Sequence, residues 1–176
     1  IEAFRRLPNE RLIIIGSYEQ SRHFKEYTNY INSIKPKNVE ILNWVDDKKL
    51  IELYANCKAF ITTSKDEDFG LTVIEAMASG KPVIAPNEGG YKETVINGKT
   101  GILIDNINHD KLISTIRELG KNPEKYKDAC IKQAEWQANR FTEQQYVLGW
   151  LKKISLEFCK RFIKHPNYSL LKWKLA

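Results

Sequence analysis

S-K-D-E-D-F-G-L-T-V-I-E-A-M-A-S-G-K-P-V-I, residues 64–84, is the stretch that decides the fold. Gly70 to Ser79 reads as a helix, with Leu71, Ile74, Met77 and Ala78 on its inner face and Gly80 as its C-terminal stop. Pro82 to Ala85 follows as a short apolar strand, and A-F-I-T-T at 59–63 precedes the acidic loop as another. Strand, loop, helix and strand in that order make a βαβ unit, which requires a parallel pairing.

The same alternation extends in both directions. R-L-I-I-I at 11–15, closed by Gly16, is a buried strand, and a helix follows over about Ser21 to Ser33. Val39 to Leu42 is a strand. Asp46 or Asp47 caps a helix that turns Leu50, Leu53 and Tyr54 inward. After the central unit, Pro86 to Gly90 turns into a short helix over Tyr91 to Val95, and Ile102 to Ile104 is a fifth strand. Helices are expected over His109 to Gly120, Pro123 to Asn139 and Thr142 to Lys164. The strands are short and apolar without strict alternation, as in a sheet covered on both faces. The fold class is α/β: a Rossmann-like, doubly wound parallel sheet flanked by helices. Such sheets bind ligands at the carboxyl ends of their strands. Those ends are Gly16, Asn43-Trp44-Val45, Ser64 to Gly70, and Pro86 to Gly90.

Composition narrows the function classes. The hydrophobic share of 42% supports a packed core, and no apolar run approaches the length of a membrane span. The opening I-E-A-F-R-R-L-P looks like the end of a helix, so a fragment of a longer protein is expected. Cys57, Cys130 and Cys159 are scattered and form no C-x-x-C pair, which supports neither a zinc knuckle nor a disulfide framework and fits a reducing cytoplasm. His23, His109 and His165 stand alone and read as surface residues. The net charge of +6 belongs to residues 151–176, which hold seven Lys or Arg and one acid.

Glu67 and Glu75 lie on either side of the turn that starts the central helix. The backbone N–H groups of Gly70, Leu71 and Thr72 lack helical partners and, with the helix dipole, favour an anion such as phosphate. The dipole contributes only about 0.3–1 kcal/mol, so a diphosphate needs further cations. Two carboxylates beside a phosphate repel it unless they face other groups. Sugar hydroxyls are suitable partners, because carboxylates accept charge-assisted hydrogen bonds from O–H. Two acids spaced along one helix start suit two rings, a transferred sugar and a ribose. A solvated loop acid at Glu67 and a surface helix acid at Glu75 is the plain alternative.

E-D-F-G-L-T-V-I-E, then A-M-A-S-G-K-P-V-I-A, then G-G-Y-K-E-T-V-I-N-G-K-T-G-I-L-I, resembles family 4 of the retaining glycosyltransferases. The similarity is to the C-terminal, donor-binding half of their two-domain GT-B fold. It runs from I-I-I-G at 13–16, through N-V-E-I-L-N-W-V-D-D at 38–47, to about Phe141. E-D-F-G with G-G-x-x-E-T-V is most similar to the WbaZ-type mannosyltransferases, which implies GDP-mannose as the nucleotide-sugar donor. The resemblance implies that Glu67, the catalytic-site acid, binds hydroxyls of the transferred sugar. Phe69, Gly70, Leu71 and Thr72 line the diphosphate, Glu75 binds the ribose, and Trp44 and Val45 contact the base. Gly89 and Gly90 shape a neighbouring loop. No metal and no cofactor besides the donor substrate is implied. Family members neutralise the diphosphate with an Arg and a Lys whose loop would precede Ile1. Opposite charges 4 Å apart are worth up to about 4 kcal/mol at an effective dielectric of 20, so weak donor binding is expected of this chain alone.

The resemblance implies further partners: a saccharide or lipid-linked acceptor and an N-terminal domain of the same protein. Residues 1–141 are expected to form the nucleotide-sugar-binding domain, truncated at its start, and 142–176 a basic amphipathic helix and tail. There Val147, Leu151, Ile154, Phe158 and Phe162 share one face and Lys152, Lys153, Lys160 and Lys164 the other. Such a helix packs its stripe on the domains or lies on an anionic membrane, which gives a cytoplasmic location with the inner membrane surface as the alternative. No nucleic-acid platform is legible. Three other readings of the motif stay open: Asp66-Glu67-Asp68 as a metal-binding D-x-D, Glu67 and Glu75 as a hydrolytic acid pair, and a nucleotide-sugar-binding module without catalysis.

Overall fold

The computed structural model describes residues 1–16 and 24–140. A 3-10 helix, Glu2–Arg6, opens it and buries Ala3 and Phe4. Then follow β1 (Leu12–Ile15), α1 (Phe24–Ile34), β2 (Val39–Leu42), α2 (Asp47–Asn56), β3 (Phe60–Ile61) and α3 (Leu71–Ala78). The remainder is β4 (Val83–Pro86), α4 (Tyr91–Thr94), β5 (Gly101–Ile104), α5 (His109–Gly120), a 3-10 turn at Pro123–Tyr126, and α6 (Lys127–Arg140). The expected helix over 142–164 and the basic tail lie outside the described residues, as does the stretch from 17 to 23.

Among the described residues all strand pairings are parallel, and they fall into two hydrogen-bonded groups. In the first, β1 pairs β2 with Leu12 opposite Val39 and Ile15 opposite Leu42. In the second, β4 is central: Phe60 of β3 lies opposite Val83, and Val83 of β4 opposite Gly101 of β5. One hydrophobic core spans both groups, joining Phe4, Leu7 and Val39 to Ile74, Met77, Ile84 and Leu119. The α/β architecture with helices flanking parallel strands is the expected one.

The helices form for local reasons. Asp46 caps α2, its carboxylate accepting from Lys49 N at 2.7 Å, and Asn108 caps α5 by the same geometry to Lys111 N. The inward face of α2 differs from the expectation: Ile51 and Tyr54 are buried, while Leu50 and Leu53 are only partly covered. At the end of α3, Gly80 adopts φ 72°, with Gly80 N bonded to Met77 O and Lys81 N to Ala76 O, a Schellman stop.

Helix α3 departs most from its pattern. Leu71, expected inward, is 48% exposed, whereas Val73, Ile74, Glu75, Ala76 and Met77 are buried. Leu71 is the first helical residue and stands beyond the edge of the core. The turns behind it are covered on several sides: α6 packs against α3, and Tyr54 reaches it from α2. A helix enclosed this way has no single apolar stripe. Helix α6 also fixes α4, because Gln133 Nε2 donates to Thr94 O at 3.1 Å and Gln137 Nε2 to Glu93 O at 2.8 Å.

Candidate active site

The acid loop links β3 to α3 and is held by the start of α4. Glu67 O accepts from Gly90 N at 2.7 Å, and Asp66 N donates to Glu88 Oε1 at 3.3 Å. Asp66 sits at φ 55°, a left-handed conformation that Asp tolerates better than most residues. A Cβ on Gly90 would overlap the Asp68 carbonyl, and one on Gly89 would press on Glu67 O. The two glycines therefore let the backbone of one loop lie directly on the other, the shaping role expected of them.

Gly70 starts α3 at φ 78°, and a Cβ there would lie 3.1 Å from the Tyr91 ring. Tyr91 is buried, and its hydroxyl lies 3.0 Å from Thr62 Oγ1 at the end of β3. Sequence reasoning had no reason to single it out: an aromatic after G-G reads as an ordinary core residue. Here it forms the wall that fixes the Phe69-Gly70 turn.

Glu67 is half-buried and turned onto the helix start, where Oε1 accepts from Gly70 N at 3.0 Å. It thus uses one of the three N–H groups expected for a phosphate. The amides of Leu71 and Thr72 have no hydrogen-bond partner among the described residues, and both residues are exposed. A carboxylate on the N-terminal turn is stabilised by the helix dipole.

Glu75 is placed differently. It is buried rather than on the surface, and Tyr54 Oη donates to its Oε2 at 3.0 Å. Burial pushes its carboxyl up to about 7, and the Tyr54 hydrogen bond holds it from rising further. Burial, the charge of Glu75 and that hydrogen bond in turn push the Tyr54 phenol far up, so it remains a donor throughout the working range. The two acids are therefore tied to different neighbours: Glu67 to the loop before α4, Glu75 to α2.

Trp44 and Val45 lie in the short connection from β2 to α2, which also carries Tyr54 toward Glu75. Trp44 is 80% exposed, an unusual setting for an indole, and Val45 is half-buried. Phe69 is partly buried against the core. Among the described residues no three His, Cys, Asp or Glu side chains group as metal ligands. Cys130 is buried with its thiol pushed up to about 12, which leaves it unreactive, and Cys57 is half-buried with its thiol raised by burial. An open depression along β1 and β2 includes Glu10, Arg11, Lys35 and Glu40, away from the acid loop. Its charges are mixed; Arg11 pairs with Glu40, and Lys58 with Glu10.

Fold and site together define an α/β protein with an anion-ready helix start flanked by two acids at the carboxyl edge of parallel strands. The chain belongs to the family Glycosyl transferases group 1, whose model matches residues 1–136. It is 37% identical over 100 residues to the alpha-1,3/1,6-mannosyltransferase ALG2 of Dictyostelium discoideum, covering 52% of this chain and 23% of that protein. Sucrose-phosphate synthase from Thermosynechococcus elongatus superposes on 92% of the chain with a TM-score of 0.65 at 24% identity. Anabaena Alr3699/HepE, solved in complex with UDP-glucose, does so over 92% with a TM-score of 0.63 at 23% identity. The chain spans 40% and 44% of those two structures, and under a quarter of the Dictyostelium relative. At these identities the two structural likenesses concern the fold. Among the described residues no helix is long and apolar enough to cross a membrane.

Proposed function

We propose that this chain is the donor-binding part of a retaining hexosyltransferase that moves mannose from GDP-mannose to a hydroxyl of a saccharide or lipid-linked acceptor. One observation carries the reading: Glu67 and Glu75 are anchored to different elements around a helix start whose Leu71 and Thr72 amides are unpartnered among the described residues. That arrangement suits a diphosphate on the amides, sugar hydroxyls at Glu67 and ribose hydroxyls at Glu75. Trp44, exposed in the connection from β2 to α2, is suited to stack on the base.

In the step itself the acceptor oxygen forms a bond to the anomeric carbon as the bond from that carbon to the diphosphate oxygen breaks. The acceptor proton passes to the leaving phosphate oxygen. The protein stabilises the developing negative charge through backbone N–H groups. Neither glutamate acts as nucleophile: Glu67 is engaged with Gly70 N and Glu75 is buried under Tyr54. The acceptor is met by a second domain of the same protein.

Mannose is supported by the name of the Dictyostelium relative and by the E-D-F-G pattern, while the HepE complex keeps UDP-glucose as the competing donor. Calorimetric titration of the full-length protein with GDP-mannose, UDP-glucose and UDP-N-acetylglucosamine tests the reading. GDP-mannose binds tightest. Tighter binding of a UDP-sugar overturns the donor assignment, and no binding of any of the three overturns the donor site.

A further inference from the structure

Tyr54 reaches the donor helix from a different element. It lies on α2 with its ring buried beside Phe60, centroids 6.0 Å apart. Its hydroxyl is 3.0 Å from Glu75 Oε2 and 3.4 Å from the carbonyl oxygen of Thr72. A phenol carries one proton and two such acceptors compete for it. With Glu75 ionised, the carboxylate is the stronger acceptor and takes the bond. With Glu75 protonated, its own O–H donates to Tyr54 Oη, and the phenol proton turns to Thr72 O. One hydroxyl therefore touches both the buried acid and the first turn of α3.

We propose that Tyr54 is a positioning residue of the donor site: its hydroxyl aims the Glu75 carboxylate at the ribose and locks it to the Thr72 turn, without touching the donor. The inference rests on Glu75 being the ribose ligand. Among the described residues the bond from Tyr54 is the hydrogen bond that the Glu75 carboxylate makes. Removing it leaves a buried acid with no fixed direction and a weaker hold on its charge. The other titratable groups in this region are Cys57, just after α2 and facing Tyr54, and Lys81, just after α3 and acting on Cys57. Neither contributes to the state of Glu75, which is set by burial and Tyr54. Tyr54 stands at a core position, so its ring explains its burial and only the placement of its hydroxyl points to the site.

Tyr54→Phe in the full-length protein keeps the ring packing and removes the hydroxyl. Calorimetry with GDP, UDP and inorganic pyrophosphate between about pH 6 and 9 reads the effect. Affinity for the nucleoside diphosphate falls about tenfold near neutral pH, and its pH midpoint moves upward. Pyrophosphate, which has no ribose, binds within about twofold of its wild-type affinity. In a Glu75→Gln background, Tyr54→Phe adds less than about twofold. Equal losses for pyrophosphate and nucleotide, or an undiminished loss beside Glu75→Gln, overturn the positioning role. Should Tyr54→Phe not fold, 3,5-difluorotyrosine at position 54 keeps the ring and strengthens the donor. The midpoint then moves downward, and an unmoved midpoint overturns the proposal. A wild type that binds neither GDP nor UDP removes the donor-site reading and this inference together. A wild type that binds, with Tyr54→Phe unchanged in affinity and midpoint, removes this inference alone.

Discussion

Glu75 shows how a single residue gains its properties from its surroundings. In the sequence it is the second acid of a spaced pair, and a helix-surface carboxylate is the ordinary expectation. Enclosure by Tyr54 and the core instead places its carboxyl near pH 7. Between the ordinary carboxylate value and about 7, the folded protein holds a proton that the unfolded chain has released. Stability therefore falls as pH rises through that window and stays lower above it. Glu75→Gln, which carries no charge to desolvate, is expected to raise Tm at about pH 8, with the gain fading toward pH 5. Thermal denaturation of both proteins across that range checks it; an equal Tm difference at both ends contradicts the buried carboxyl. Glu67 has a different setting, half-buried at the helix start with Oε1 accepting from Gly70 N. Glu67→Gln is expected to cut turnover of the full-length enzyme at least 100-fold, as loss of a transition-state contact does, while Tm drops by no more than a few degrees. Near wild-type kcat would remove Glu67 from the site. Spacing and the residues between them are what single out both acids in the sequence. The burial of Glu75 was not, because it depends on Tyr54, twenty-one positions away and contributed by another helix.

At the scale of elements, the site is a loop clamped between two turns. The 67–69 backbone lies against Gly89 and Gly90, and α4 is held in place by Gln133 and Gln137 of α6. The geometry of the acid loop thus depends on a helix that begins sixty residues later. Gly90→Ala forces the two loops apart, and overpacking of this kind costs about 1–3 kcal/mol. Its donor affinity is expected to fall more than its Tm accounts for, because the displaced segment carries Glu67. Titration and denaturation of the same variant separate the two; a lower Tm with unchanged donor affinity would make the contact purely structural. The helix start, its glycine stop and the adjoining strands were readable from local pattern, since caps and breakers act within a few residues. Leu71 was misread because periodicity assumes one buried face, and α3 is buried on several. Strand β3 is shorter than its A-F-I-T-T run: only Phe60 and Ile61 pair with β4, while Thr62 continues with a single bond to Ile84 O.

At the scale of the molecule, the described residues join two groups of parallel strands through one core. The strands themselves follow from short apolar runs; their division into two hydrogen-bonded groups is a long-range outcome that no local run contains. Met77, fully buried where α3 meets that core, measures the cohesion: Met77→Ala is expected to cost about 2–5 kcal/mol in chemical denaturation. At this scale the chemistry also becomes testable. If the proposed function holds, transfer by the full-length protein persists in EDTA, because the leaving diphosphate is then stabilised by the Leu71 and Thr72 amides and not by a cation. Loss of activity in EDTA and its return with Mn²⁺ would favour metal binding by Asp66-Glu67-Asp68. The central claim, that one helix start with two divergent acids grips a nucleotide sugar, is tested most directly by a crystal structure of the full-length protein with GDP-mannose. Diphosphate oxygens are expected within hydrogen-bond distance of Leu71 N and Thr72 N, with ribose hydroxyls on Glu75 and mannose hydroxyls on Glu67. A nucleotide bound elsewhere, or one whose ribose leaves Glu75 paired only with Tyr54, would contradict it.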